Sequence, residues 1–135
     1  MNLLEKLAAF LQRHTEALFV SATAVLLPIK LTLMAVGVLI FIDLLTGLLK
    51  AKRRQQPITS KALSSTVYKM AGYQCAVIGA FIFETYLGQD AVPITKLVAG
   101  AIGTVELLSI AENVKAATGV DVLNIVKRLQ EKKDK

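Results

Sequence analysis

The stretch Val36–Arg54, "VGVLIFIDLLTGLLKAKRR", has the length and apolarity of a membrane-spanning helix, yet it carries a carboxylate, Asp43, near its middle. Within residues 31–49 the only polar side chains are Thr32, Asp43 and Thr46. At about 1.5 Å per residue, a helix of this length rises about 28 Å, close to the roughly 30 Å hydrocarbon core of a bilayer. A soluble helix needs a polar face for water, and this segment lacks one. Residues 31–49 therefore predict a transmembrane helix.

Two later segments, residues 71–87 and 97–113, are similar in length and apolarity. Apolar residues make up 54% of the 135-residue chain and charged residues 19%, below the roughly 25% of ordinary soluble domains. We therefore predict an all-α integral membrane protein, one membrane domain over residues 1–135 with three transmembrane helices. A soluble bundle with unusually apolar core helices stays open as the alternative, because each run is short and carries one acid.

The segments before and after these helices are amphipathic. Residues 3–18 place leucines and Phe10 on one helical face and charged residues on the other, which suits a helix on a membrane surface or against a partner. Residues 17–29 are too few to span comfortably, so we interpret them as the end of this helix plus a turn at Pro28. If they do cross, the protein has four spans. Residues 120–135 predict a short, basic, amphipathic tail helix.

Charge gives the expected orientation. The formal net charge is +6, and the basic residues concentrate in the connection 50–70 and in the C-terminal tail. By the positive-inside rule, the loop 50–70 and the C-terminus are cytoplasmic, and the short connection after residue 87 lies outside. The N-terminus lies outside with three spans and inside with four.

Several classes of function are excluded on composition and motifs. One cysteine and one histidine, Cys75 and His14, can form neither an internal disulfide nor a joint metal site across sixty residues of sequence. No hydrolase, metalloprotease or phosphate-binding motif occurs, so neither an enzyme nor a bound cofactor or metal is expected. Nucleic acid is not an expected partner either, because no aromatic residues alternate with the basic ones.

Polar and small residues follow one face of the first and of the third predicted span. A carboxylate deep in a span costs about 2.5–3.5 kcal/mol on insertion, so it should face other helices, a basic partner or water. Small residues let helices approach, and polar ones bond across the contact. We predict an oligomerisation surface or pore stripe; the plainer alternative is that each acid pairs with a lysine or stays protonated. The stripes are Asp43, Thr46, Gly47 and Lys50, and Gly103, Glu106, Ser109 and Asn113.

Helical spacing also places the two acids of these stripes at one depth. Both spans run in the same direction, and Asp43 and Glu106 should each lie roughly 10 Å from the cytoplasmic boundary, judged from the rise to the next lysine.

Three short motifs follow one another in the chain: "IDLLTGLLKA" (42–51), "TSKALSSTVYKM" (59–70) and "VELLSIAENVKAATGV" (105–120). In this order they resemble the motifs of the bacteriophage holin family that includes the toxin-secretion holins of clostridia. The resemblance covers residues 36–130. The family's marked residues fall on Asp43, Thr46, Gly47, Ala51, Ser60, Lys69, Glu106, Ser109, Glu112, Asn113 and Gly119.

The resemblance implies a phage protein that accumulates in the host bacterial cytoplasmic membrane. It implies a homo-oligomer that permeabilises the bilayer, so that a phage endolysin escapes and the host cell lyses. Two other functions stay open: a non-lytic membrane scaffold or export-accessory protein, and a small ion channel. A selective channel is the less expected, because no filter motif and no internal repeat occur.

The orientation can be tested by labelling single cysteines. In a Cys75→Ser background, an impermeant thiol reagent added to intact cells should label Gln89→Cys and Asn2→Cys but not Gln55→Cys. Labelling of Gln55→Cys from outside would reverse the predicted orientation. If Asn2→Cys alone stays unlabelled, the chain has four spans.

Overall fold

The computed structural model describes residues 3–88 and 92–133, and no strand occurs within these ranges. The all-α prediction is confirmed. Parts of the predicted outer connection and of the tail, residues 89–91 and 134–135, lie outside the described residues, as do residues 1–2. The helices are α1 (Leu3–Leu26), α2 (Lys30–Arg53), α3 (Ser60–Ile82), α4 (Ile94–Thr118) and α5 (Val122–Lys133), with a 3-10 turn at Leu27–Ile29 and a π-helical turn at Phe83–Leu87.

The chain divides into two compact units, and the first, Met1–Leu31, contains α1 and the 3-10 turn. Helix α1 continues beyond the amphipathic stretch 3–18 to Leu26, because the sequence up to that point has no glycine or proline to stop it. Pro28 then lies at the start of the 3-10 turn, as predicted, where its missing N–H is tolerated.

Two helical stretches of the described residues are long and apolar enough to cross a membrane, Phe10–Arg53 and Ile94–Thr118. They contain the predicted spans 31–49 and 97–113. The first stretch has 44 residues, about twice the roughly 20 that one crossing needs, so its length does not decide between three and four spans. The predicted span 71–87 falls on the end of α3 and the π-helical turn and stays a prediction.

The second unit, Thr32–Lys135, is built on α2, α3 and α4. Its buried apolar side chains include Val36 and Ile40 of α2, Val77 of α3 and Ile102 of α4. On the opposite face of α2, large apolar side chains such as Phe41 stay exposed. An apolar surface of this extent is typical of contact with lipid or with another subunit.

The connection between α2 and α3 is shorter than the predicted loop 50–70. Only residues 54–59 are non-helical, so most of the basic residues counted as loop lie on helices. Thr59 begins α3 as its N-cap, and its hydroxyl oxygen accepts a hydrogen bond from the Ala62 N–H at 3.3 Å. At the other side of the connection, Lys52 and Arg53 lie in the last turn of α2, where cations complement the helix dipole.

Glu84 joins the end of α3 to the start of α4. It lies in the π-helical turn, and its Oε2 accepts a hydrogen bond from the backbone N–H of Thr95 at 2.7 Å. The first N–H groups of a helix have no partner within that helix, and the N-terminus attracts negative charge. The hydrogen-bond partner of this acid is therefore a helix terminus.

Gly119 ends α4 in the left-handed conformation, with φ of 81°. Its N–H donates to the carbonyl of Lys115 at 2.9 Å. A side chain is disfavoured at this backbone angle, which explains a glycine at the last marked position of the resemblance.

The role of Gly119 is testable against a second glycine of the same helix. Gly119→Ala should lower the free energy of unfolding by about 1 kcal/mol, because an L-residue is strained in this conformation. Gly100→Ala, within α4 and with open space around its Cβ position, should leave the protein as stable or slightly more stable. Both can be measured by unfolding detergent-solubilised protein with sodium dodecyl sulfate while recording circular dichroism. Equal stabilities of the two variants would contradict this account of the helix end.

Candidate functional site

Lys69 lies between two carboxylates that come from different helices. Its Nζ is 2.6 Å from Oδ2 of Asp43 on α2 and 2.8 Å from Oε2 of Glu106 on α4. Lys69 itself is on α3, so one ammonium group connects all three helices of the core. The two acids share one cation and therefore lie at the same level along the bundle, as the sequence predicts.

The other oxygen of the Asp43 carboxylate is bound by α4. Oδ1 accepts hydrogen bonds from the Ser109 hydroxyl at 2.6 Å and from the Asn113 amide nitrogen at 3.1 Å. The amide oxygen of Asn113 in turn accepts a hydrogen bond from Lys50 Nζ at 2.9 Å. We call Asp43, Lys50, Lys69, Glu106, Ser109 and Asn113 the polar cluster.

Burial makes these pairings important. The side chain of Glu106 is 1% exposed, that of Asp43 14% and that of Lys69 28%. The polar cluster contains two acids and two lysines, so its formal charges sum to zero. A buried carboxylate without a partner is strongly disfavoured, whereas a paired and hydrogen-bonded one is tolerated. Within one chain, Lys69 is the lysine partner of both acids, and the role of the stripes between chains stays a prediction.

The spacing of residues on α2 explains why the cluster faces inward. Val36, Ile40, Asp43, Gly47 and Lys50 follow one another at intervals of four and three residues, the pattern of a helix that keeps one seam towards its neighbours. On α4, the same spacing holds for the buried residues Ile102, Glu106 and Asn113 and for the half-buried Ser109. Each seam is apolar in its first half and polar in its second.

Two glycines of the predicted stripes lie where α2 and α4 approach each other. A Cβ on Gly47 would be 3.7 Å from the Asn113 amide nitrogen, and one on Gly103 would be 3.6 Å from a methyl carbon of Leu39. Both distances are ordinary contacts, so alanine would fit and a large side chain would press on the opposite helix.

The remaining marked residues lie outside the polar cluster. Thr46 bonds its own helix, with its hydroxyl donating to the Asp43 carbonyl at 3.0 Å. Ala51 lies in the last turns of α2, Ser60 is the first residue of α3, and Glu112 lies on α4 beside the start of α5.

Sequence reasoning missed the position of Lys69. We counted it among the loop charges that determine orientation, but it lies on α3 and points between the helices. The only signal for this position was the resemblance, which marks the lysine. Gln74 was also missed: its amide nitrogen donates to the carbonyl of Leu33 at 3.0 Å and connects α3 to α2.

The polar cluster has no chemistry of its own beyond charge and hydrogen bonding. Within the described residues no group of histidine, cysteine, aspartate and glutamate side chains could hold a metal ion. What the cluster can do is fix three helices to one another and exchange its partners for water or for other polar groups.

The geometry thus defines a helical protein with candidate membrane spans and a buried polar cluster among its helices. Residues 21–134 match the model of the bacteriophage holin family, and the chain belongs to this family. Its members are non-enzymatic membrane proteins, and membership implies permeabilisation of the membrane for host lysis. Neither a curated protein nor a solved structure matches the chain.

Replacement of Lys69 tests how far the fold depends on the cluster. Lys69→Met should lower the free energy of unfolding by about 3 kcal/mol or more, because it leaves two acids without their cation. Lys61→Met, an exposed lysine on the same helix, should have little effect. The triple variant Lys69→Met, Asp43→Asn and Glu106→Gln removes the charges together and should recover much of the loss. Unfolding in sodium dodecyl sulfate measures all three, and equal stability of Lys69→Met and Lys61→Met would show that the ion pairs are dispensable.

Proposed function

We propose that this protein is a holin of the clostridial toxin-secretion type, which assembles with copies of itself in the host cytoplasmic membrane and opens a hole for a phage endolysin. The observation that carries this proposal is the polar cluster. Six polar side chains lie together in a bundle whose other surfaces are mostly apolar. While the three helices stay packed, the polar cluster is neutral and its polar groups are hydrogen-bonded to one another. When the helices separate, the same groups can bind water.

The proposed mechanism is an exchange of partners. In one chain, Lys69 pairs with Asp43 and Glu106 and the cluster is kept away from lipid. When many copies accumulate, the same carboxylates, ammonium and amide groups can pair between chains or face a water-filled opening. The predicted stripes of Asp43, Gly47, Glu106 and their neighbours would then line the hole or hold the subunits together.

The exchange is feasible because buried ion pairs contribute little net stability. The attraction within the pair is largely offset by the loss of hydration of both charges. An alternative arrangement that restores water to these groups therefore needs only a modest gain from subunit contacts. Such an equilibrium depends on concentration, which fits a protein that acts after a delay.

The proposed location is the host cytoplasmic membrane, with the loop 50–70 and the C-terminus on the cytoplasmic side. The spans are residues 31–49, 71–87 and 97–113, whose outward faces carry exposed apolar side chains such as Val38, Phe41 and Leu107. The basic residues in the last turn of α2 lie at the end of the bundle nearer the polar cluster. In the proposed orientation, the polar cluster would lie in the cytoplasmic half of the membrane.

Expression in a bacterium tests the proposal. Produced alone, the protein should halt growth and depolarise the membrane after a lag, and the lag should shorten as expression rises. Produced with a cytoplasmic muralytic enzyme that lacks an export signal, it should cause abrupt lysis. A small ion channel would depolarise without releasing the enzyme, and a scaffold would do neither. An intact potential at a verified high membrane level, with the enzyme retained, would overturn the proposal.

The same assay tests the exchange of partners. At equal membrane levels, Lys69→Met should bring lysis forward, because the closed arrangement loses its central cation. Lys61→Met should keep the original timing. If Lys69→Met lyses at the original time, the exchange of partners in the polar cluster has no part in hole formation. The proposed lytic function would not be affected by that result.

A further inference from the structure

Helix α5 has two chemically distinct faces. Val122, Ile125, Val126 and Leu129 follow one another along one side, and all four are exposed, with Leu129 62% exposed. Lys127, Arg128, Glu131 and Lys132 lie on the other sides and are also exposed. An apolar stripe flanked by basic residues is typical of a helix that lies in a membrane interface.

The position of α5 fits the same role. It begins three residues after Gly119, which ends the candidate span α4. An ion pair of 2.6 Å between Lys115 Nζ and Asp121 Oδ2, together with a hydrogen bond from the Asn124 N–H to Asp121 Oδ1, orders the connection. The helix has 12 residues and rises about 18 Å, too little to cross a bilayer.

We infer that α5 binds the anionic phospholipid surface of the leaflet in which α4 ends, with its apolar stripe in the acyl-chain boundary and its basic residues at the headgroups. This inference rests on the proposed membrane location and adds the chemical class of lipid. Charge complementarity carries it: the helix has four basic residues and one acid, and each basic residue near such a surface strengthens binding about fivefold.

A second copy of the chain fits the stripe less well. A coiled-coil seam is usually sustained over three to four heptads, and 12 residues provide fewer than two. A lipid surface imposes no such minimum length, because each apolar side chain inserts independently.

The absence of tryptophan from the sequence makes a direct test possible in the full-length protein. Leu129→Trp places a single fluorophore in the stripe, and Glu131→Trp places it on the opposite face. The second change removes an acid, so it would if anything favour anionic lipid and is a conservative control. Phe41→Trp, on an exposed apolar position of α2, reports insertion of the chain itself.

The three proteins are reconstituted into vesicles of phosphatidylglycerol and phosphatidylcholine that contain brominated acyl chains, which quench tryptophan on contact. We expect strong quenching of Phe41→Trp and Leu129→Trp and little of Glu131→Trp. Vesicles of phosphatidylcholine alone should quench Leu129→Trp less. Adding Arg128→Gln and Lys132→Gln should weaken docking of the helix about 25-fold, the product of two fivefold losses.

Each other outcome has a defined meaning. If Phe41→Trp is not quenched, the proposed membrane location fails. If it is quenched while Leu129→Trp and Glu131→Trp behave alike, the location stands and the inference about α5 is overturned. Blue-shifted emission of Leu129→Trp without bromine quenching would show that protein covers the stripe, which also overturns the inference.

Discussion

The contact of one ammonium group with two carboxylates determines the register of this bundle. Lys69 Nζ lies within 3 Å of oxygen atoms on both Asp43 and Glu106, so α2, α3 and α4 can neither slide nor rotate without breaking an ion pair. Apolar contacts are not directional and would tolerate such shifts. In a membrane the apolar contribution is weaker still, because lipid tails are as apolar as the side chains they replace. The polar cluster therefore specifies the arrangement of helices that an apolar core alone would leave open.

Much of the fold follows from patterns that a sequence displays directly. The apolar run around Asp43 predicts a helix of membrane length, and helical rise alone places Asp43 and Glu106 at one depth. The position of Lys69 could not be predicted in the same way, because α3 begins with polar residues that look like loop. Whether a lysine there ends in solvent or between helices depends on where the helix starts and how it is rotated. Only the cap at Thr59 and the packing of α3 determine this.

The partner of Glu84 was hidden for a related reason. From the sequence, the expected partner of an acid is a basic side chain. The Glu84 carboxylate instead accepts a hydrogen bond from the backbone N–H of Thr95 at the start of α4. Helix termini carry partial charges that do not appear in a list of residues. The length of α1 shows a similar effect, since no amphipathic pattern marks residues 19–26 and the helix continues simply because nothing interrupts it. Sequence patterns thus predict which segments are helical more reliably than they predict what the polar groups bind.

One half of the helix bundle is apolar inside and the other half is polar. This difference limits how a hole through the membrane could form. Towards one end the seam is closed by Val36, Ile40, Val77 and Ile102, and towards the other it is filled by the polar cluster. In the proposed orientation, water could reach the polar cluster from the cytoplasm. The four apolar side chains, here called the apolar layer, would still block its way to the other side. No rearrangement of these side chains within one chain removes that layer while the three helices stay packed. The helices must separate, and their apolar surfaces then need either lipid or neighbouring subunits. The hole that we propose would for that reason be formed by an assembly of chains and not by a single chain.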